Sequence, residues 1–220
     1  MNRPLRIDIY SDTVCPWCYL GKRRLAAALD ARPQYAPKVI WRPFELNADL
    51  PPEGVAREEF FARRGLSPSA LEEGRRTLVD LGRSVGIAFR FDLQTRVPNT
   101  RRSHLLVALG ARCGKQAEVL EQLMHAYFEE GRDIGDVDEL VRIGAQAGLD
   151  GREVGRVLVL RTGQDALIAA ERHAAALGLT GVPTFVFNGE FALSGAQDPE
   201  SLVAALDRVV ASPGTQAGRA

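Results

Sequence analysis

The chain carries its strand patterns at its two ends and almost only helical patterns between them, and this separation restricts the folds open to it. Leu5-Arg6-Ile7-Asp8-Ile9-Tyr10 alternates apolar and charged residues with the period of a strand. Pro16 suits the first turn of a helix, and Leu20, Leu25, Ala28 and Leu29 follow at helical spacing with Lys22, Arg23 and Arg24 between them. Pro33 ends that helix, and Lys38-Val39-Ile40-Trp41-Arg42-Pro43-Phe44 reads as a second strand. Strand, helix, strand in this order is a βαβ unit, whose two strands run parallel. At the far end, Thr184-Phe185-Val186-Phe187 and Glu190-Phe191-Ala192-Leu193 flank Asn188-Gly189, the strongest short signal for a hairpin. Asp198-Pro199 then caps and starts a last helix carrying Leu202, Val203, Leu206, Val209 and Val210.

Between these ends the periodicity predicts helices opened by Ser67-Pro68, then over residues 102–112, 116–128, 152–160 and 164–177. Asp136 with Glu139 has the spacing of a capping box ahead of Leu140, Val141 and Ile143. Phe89-Arg90-Phe91 reads as a short extended piece, and no internal repeat is present. A βαβ followed by a ββα completes a thioredoxin-like core, so the fold class expected is α/β with a large all-helical insertion. The expected boundaries are 1–54 and 179–212 for the two parts of the core, 55–178 for the insertion and 213–220 for a frayed, flexible tail.

With 220 residues, 45% of them apolar, the chain can bury a sizeable core. Its 28 basic and 28 acidic residues balance, so no electrostatic footprint points to nucleic acid or an anionic membrane. Met1-Asn2-Arg3-Pro4-Leu5-Arg6 is followed by no apolar run of the secretory kind, and no stretch is long and apolar enough to span a bilayer. The location expected is the cytoplasm. Three cysteines, an odd and small number, argue against a disulfide scaffold.

Cys15-Pro16-Trp17-Cys18 falls where the first strand meets a helix N-terminus. Residues three apart share a helical face, so the two sulfurs can meet. Unpaired backbone N–H groups and the helix dipole stabilise a thiolate at the first position; thiols at such sites titrate at roughly 3.5–7.5 instead of about 8.5. Cys15 is therefore the expected nucleophile and the more exposed thiol, and Cys18 the resolving thiol. Pro16 fixes the first turn, and Trp17 projects toward substrate. Half of a zinc site is the competing reading, but Cys113, His104, His125 and His173 form no second pair at ligand spacing, so no metal is expected.

Thr180-Gly181-Val182-Pro183-Thr184 precedes the hairpin, and a proline opening a strand cannot donate to the ladder. Taken with Ser11-Asp12-Thr13-Val14-Cys15-Pro16-Trp17-Cys18-Tyr19-Leu20-Gly21, Trp41-Arg42-Pro43-Phe44-Glu45-Leu46-Asn47, Gly131-Arg132-Asp133-Ile134-Gly135-Asp136 after Tyr127-Phe128, and Ser194-Gly195-Ala196-Gln197, the chain resembles the DsbA-type thioredoxin-like family. The resemblance is close to the cytoplasmic FrnE-like branch of dithiol–disulfide oxidoreductases and isomerases. The resemblance implies a cis-proline at Pro183 facing the cysteine pair, and protein or low-molecular-weight thiols and disulfides as substrates. It implies no bound cofactor, but glutathione as a candidate co-substrate: its sulfur at Cys15, its backbone along Val182, and its γ-glutamyl end near Gln197 and Asp198. Asp198 capping its own helix is the plainer role. More distant relatives, the hydroxychromene carboxylate isomerases and kappa-type glutathione transferases, typically place serine where this chain has Cys15. A glutathione-dependent isomerase or transferase is thus the alternative function, and a zinc-stapled interaction module the third.

Weaker claims remain. Cys113 is expected to be a small buried hydrophobe. His104 is a candidate for tuning Cys15, against the commoner role of a satisfied structural histidine. His125 and His173 carry no signal, and Glu129, Glu130, Arg132 and Asp133 read as a solvated turn. The expected assembly is a monomer or a homodimer.

Overall fold

The computed structural model describes residues 3–65, 67–212 and 215–216. Strands β1 (Arg3–Pro4) and β2 (Arg6–Ser11) lead into helix α1 (Pro16–Asp30), a 3-10 turn at Pro33–Tyr35 and strand β3 (Lys38–Pro43). The middle of the chain forms β4 (Val55–Ala56), α2 (Arg57–Arg63), α3 (Pro68–Ser84), β5 (Arg96–Val97), α4 (Arg101–Arg112), α5 (Gln116–Phe128), α6 (Val137–Gln146), α7 (Gly151–Leu160) and α8 (Gln164–Ala176). Strands β6 (Thr184–Phe187) and β7 (Phe191–Ser194), helix α9 (Pro199–Ala211) and β8 (Thr215–Gln216) follow.

The main sheet has the order β3-β2-β6-β7. β2 pairs in parallel with β3, with Ile9 beside Trp41, and antiparallel with β6, with Ile9 beside Phe185. This is the mixed sheet of a thioredoxin-like core. Residues 7–11 of β2 are all buried, as a central strand covered on both faces requires. Asp8 is tolerated there because Arg6 and Arg42 each bring a guanidinium to 2.7 Å from it. Helix α1 packs on α9, and both α5 and α8 contact β3. The open edge of β3 is closed by a side chain: Gln116 accepts from the Trp41 N–H at 3.0 Å and donates to its C=O at 2.9 Å.

Core and insertion share one contiguous apolar cluster, running from Leu5 and Ile7 to Val154 and Leu158. Tyr19 of α1 stacks on Phe128 of α5 at 6.0 Å and meets Phe89 edge-on at 6.1 Å, so aromatic packing joins the two parts directly. Several helices are capped by the side chain just before them: Ser67 accepts from Ala70, Asp136 from Glu139, Asp150 from Arg152 and Asp198 from Ser201.

Several expectations are corrected. The hairpin turn holds three residues, not two: Phe187 pairs with Phe191, and β7 starts at Phe191 instead of Glu190. Asn188 and Gly189 do take positive φ, 53° and 76°, and the Glu190 N–H closes the turn onto the Phe187 carbonyl at 3.0 Å. Phe89-Arg90-Phe91, expected as a short extended piece, joins no strand ladder; Arg90 donates its N–H to the Phe128 carbonyl while the two rings turn inward. The insertion is not wholly helical, since β4 and β5 form a two-residue antiparallel ladder. Most of the expected tail, 213–220, lies outside the described residues; Thr215 and Gln216 run parallel to Arg3 and Pro4.

Candidate functional site

β2 ends at Ser11, and Asp12, Thr13 and Val14 carry the chain to α1. Each of the first two is pinned from within. Asp12 is fully buried; its Oδ2 accepts from the Leu46 N–H at 2.7 Å, and its Oδ1 lies 3.3 Å from His104 Nε2. The Ser103 hydroxyl donates to the Thr100 carbonyl at 2.8 Å, which leaves Thr13 as donor in its 2.7 Å bond to Ser103 Oγ. The loop that presents the cysteines is thus fixed to the first turn of α4.

Cys15 is the N-cap of α1, with φ −92° and ψ 111°. Its N–H donates to the Asp12 carbonyl at 3.2 Å, and its Sγ accepts from the Cys18 N–H at 3.3 Å. The Cys15 thiol also points at the Val182 carbonyl, 3.8 Å away. The Val182–Pro183 peptide is cis. Both thiols are free and almost wholly covered, Cys15 at 3% exposure and Cys18 at 0%. Cys15 is therefore only marginally the more exposed. Burial pushes the Cys18 thiol well above its ordinary range, and the hydrogen bond with Cys15 and the charge there add to it. Pro16 occupies the first helical turn, and Trp17 stands 41% exposed beside the pair.

α1 can approach the Val182–Pro183 segment closely because residue 21 is glycine. A Cβ there would lie 3.1 Å from Pro183 Cγ and 3.2 Å from Phe185 Cζ.

Behind the loop lies a charged cluster that sequence reasoning missed. Arg101 pairs with Glu45, whose side chain is 1% exposed, and reaches Glu171 Oε2 at 3.7 Å. Burial, then its hydrogen bond with Glu45 and that group's charge, together push the Glu171 carboxyl up to about 7. Burial opposes the His104 imidazolium, but Asp12, with Glu45 and Glu171 behind it, outweighs burial and holds the pKa above its ordinary value. Asp12 links His104 to Cys15, its carboxylate meeting the imidazole and its carbonyl accepting from the Cys15 N–H. The five residues come from four distant segments, so no local spacing announces them; only Asp12, Glu45 and His104 stood out in the sequence at all.

Other candidates fall elsewhere. Asp198 caps α9, accepting from the Ser201 N–H at 2.7 Å, and that bond holds its carboxyl below the usual range. Gln197 donates to the Ser194 carbonyl at 2.6 Å. Cys113 is exposed, not buried: it is the C-cap of α4, past the stripe that faces the core, and the chain turns away at Gly114 with φ 70°. His125 lies 3.8 Å from Glu130, and His173 lines a groove bordered by Arg6 and Phe191. Among the described residues, no three His, Cys, Asp or Glu side chains gather as a metal-ligating group. Nor is the 129–133 region merely a solvated turn: Glu129 accepts from the Tyr19 hydroxyl at 2.7 Å and from the Ala88 N–H at 3.0 Å. No helix among the described residues is long and apolar enough to cross a membrane.

This geometry has relatives. A family model described as the DSBA-like thioredoxin domain matches residues 6–207. The uncharacterized protein YwbO of Bacillus subtilis (strain 168) is 28% identical over 197 residues, covering 87% of this chain and 90% of that protein. The crystal structure of a probable DsbA oxidoreductase from Streptomyces coelicolor superposes with a TM-score of 0.86 at 32% identity, covering 93% of this chain and 89% of that one. The cytosolic disulfide reductase DsbM of Pseudomonas aeruginosa, solved with GSH, gives a TM-score of 0.66 at 22% identity over 92% of this chain and 98% of that one, a likeness of fold.

Proposed function

The chain belongs to the DSBA-like thioredoxin domain family, and from that premise we propose that it is a thiol–disulfide oxidoreductase whose reactive centre is Cys15 and Cys18, acting on protein or low-molecular-weight thiols. One observation carries the reading: Cys15 stands at the N-cap of α1, its sulfur turned to the Cys18 amide and to the Val182 carbonyl. Cys18, buried and raised, keeps its proton until the resolving step. In the reducing direction, Cys15 S⁻ attacks a substrate disulfide, forms a mixed disulfide and expels one substrate thiolate. Cys18 then loses its proton to solvent and attacks Cys15 Sγ. The second substrate thiolate leaves, and the protein is left as the Cys15–Cys18 disulfide, having given up two electrons.

The Val182 carbonyl beside Cys15 supports a second part of the reading. An extended substrate lying along this segment would gain main-chain hydrogen bonds with little demand on its side chains. Glutathione is the low-molecular-weight co-substrate we favour, and the cytoplasm the setting, as for the cytosolic DsbM. Cysteine at position 15, where serine marks the isomerase alternative, favours redox work. The test is Cys15→Ser and Cys18→Ser together with mapping of alkylation. Cys15→Ser should abolish exchange, Cys18→Ser should accumulate mixed disulfides, and iodoacetamide at neutral pH should label Cys15 first. Exchange surviving in Cys15→Ser, or preferential labelling of Cys18, overturns the assignment.

A further inference from the structure

Beside the cysteine loop the insertion forms a cleft of about 360 Å³, within the range that holds small molecules. Val14 and Pro16, the neighbours of Cys15, make one wall. Phe60, Phe61, Leu78, Phe91, Val97 and Phe128 make an apolar and aromatic body. Three arginines, Arg57, Arg64 and Arg75, line it as well, and no described Asp or Glu does.

These arginines differ from their neighbours on the same helices. Arg63 pairs with Glu59, Arg76 with Glu72 and Arg83 with Asp80, each one turn away. Among the described residues, Arg57, Arg64 and Arg75 enter no ion pair; Arg57 donates to Gln94 at 2.8 Å, and Arg64 donates to Asn47. The Nε atoms of Arg57 and Arg75 are buried without a hydrogen-bond partner. Arg57 lies over the Phe61 ring at 4.9 Å, which holds its guanidinium against the apolar body. Burial pushes the Arg57 pKa down, and Arg75 adds to that. Arg57 and Arg75 are half-buried against aromatic walls with their Nε atoms unpartnered and no described carboxylate beside them, an arrangement that an anion would complete.

We propose that this cleft is the substrate subsite for a small aromatic carboxylate group, carried by a low-molecular-weight thiol or disulfide whose sulfur is presented to Cys15. The proposal rests on the redox reading of Cys15 and names the substrate class of that site. The rings of Phe60, Phe61 and Phe91 take the aromatic body, and Arg57 and Arg75 take the carboxylate.

Binding and chemistry can be tested apart. In the first arm, 2-naphthoate and its neutral isostere 2-naphthamide are titrated calorimetrically into the Cys15→Ser protein. Naphthoate should bind about tenfold more tightly, the scale of one charge-assisted hydrogen bond. Arg75→Gln and Arg57→Gln should each remove most of that preference, with folding checked by circular dichroism. Equal binding of the two probes, no binding of naphthoate, or a preference that survives in both variants overturns the subsite. In the second arm, pre-reduced protein with Cys15 intact is mixed once with 5,5′-dithiobis(2-nitrobenzoate) or with neutral 4,4′-dithiodipyridine. The ratio of the two rates should fall severalfold in Arg75→Gln; an unchanged ratio also counts against the subsite. Naphthoate binding without reduction of either disulfide would instead sink the redox reading and leave the cleft a carboxylate site.

Discussion

Cys15 heads α1 and Gly21 lies within it, and between them they set how near the helix comes to Val182 and Pro183. Gly21→Ala would gain about 1 kcal/mol of helix propensity. Against that, its methyl would press on Pro183 and Phe185, both buried, at 3.1 and 3.2 Å, and overpacking costs roughly 1–3 kcal/mol. We expect a net loss near 1 kcal/mol in urea denaturation and slower disulfide exchange, because the segment facing Cys15 is displaced. A stabilised variant with unchanged exchange would show that the contact yields freely. Asp198→Asn separates two roles at another single position. Asparagine caps about as well, so stability should hold within about 0.5 kcal/mol. If Asp198 also meets the glutathione ammonium, the loss of its charge should weaken glutathione turnover; an unchanged rate and affinity would leave Asp198 a cap alone. The placement of both cysteines at the start of α1, and this cap, were legible because the signals for them are local. Cys113 was misread because its exposure depends on where α4 stops facing the core, which no residue type reports.

At the scale of elements, α4, α5 and α8 were legible from their period alone, and α3, α6 and α9 also from the residues at their starts. Ser67-Pro68, Asp136 and Asp198-Pro199 all mark starts that the structure keeps. The box at Asp136 is only half closed: Glu139 turns away to Arg132 and Arg142. Helix α2 and the β4–β5 ladder were not legible, since a short helix without a side-chain cap and two-residue strands leave no period to read. The edge of β3 depends equally on a contact invisible in sequence, the Gln116 amide closing both backbone groups of Trp41. Gln116→Ala should cost about 1–2 kcal/mol in chemical denaturation, because Trp41 is buried and its amide would lose a partner. An unchanged midpoint would mean that water replaces the glutamine.

Across the whole molecule, Asp12, Glu45, Arg101, His104 and Glu171 tie the cysteine loop to α4 and α8. Order of elements was enough to separate core from insertion, yet which charges meet at their junction depends on tertiary packing. The cluster has a pH signature. Glu171 titrates near 7 in the folded protein against 4.5 for a free carboxyl, so the folded state keeps a proton that the unfolded chain sheds between these values. Stability should therefore fall as pH rises through that window, by at most ~1.4 kcal/mol per pH unit from this group. Glu171→Gln should flatten the slope there. His104, also raised, contributes with the same sign, from its ordinary value of 6.5 upward. A wild-type profile as flat as the variant's would remove Glu171 from the account.

The strand order β3-β2-β6-β7 also has a consequence for synthesis on the ribosome. β2 is translated well ahead of β6, the partner on its other edge, which follows only after the whole insertion. At roughly 5–20 residues per second, that edge waits on the order of ten seconds or more. Meanwhile α4 to α7, which pack mainly on one another, can assemble locally. The nascent chain must therefore carry Ile7 and Ile9 on an unzipped border throughout, and the sulfur-bearing helix is locked in place only when β6 and α9 arrive.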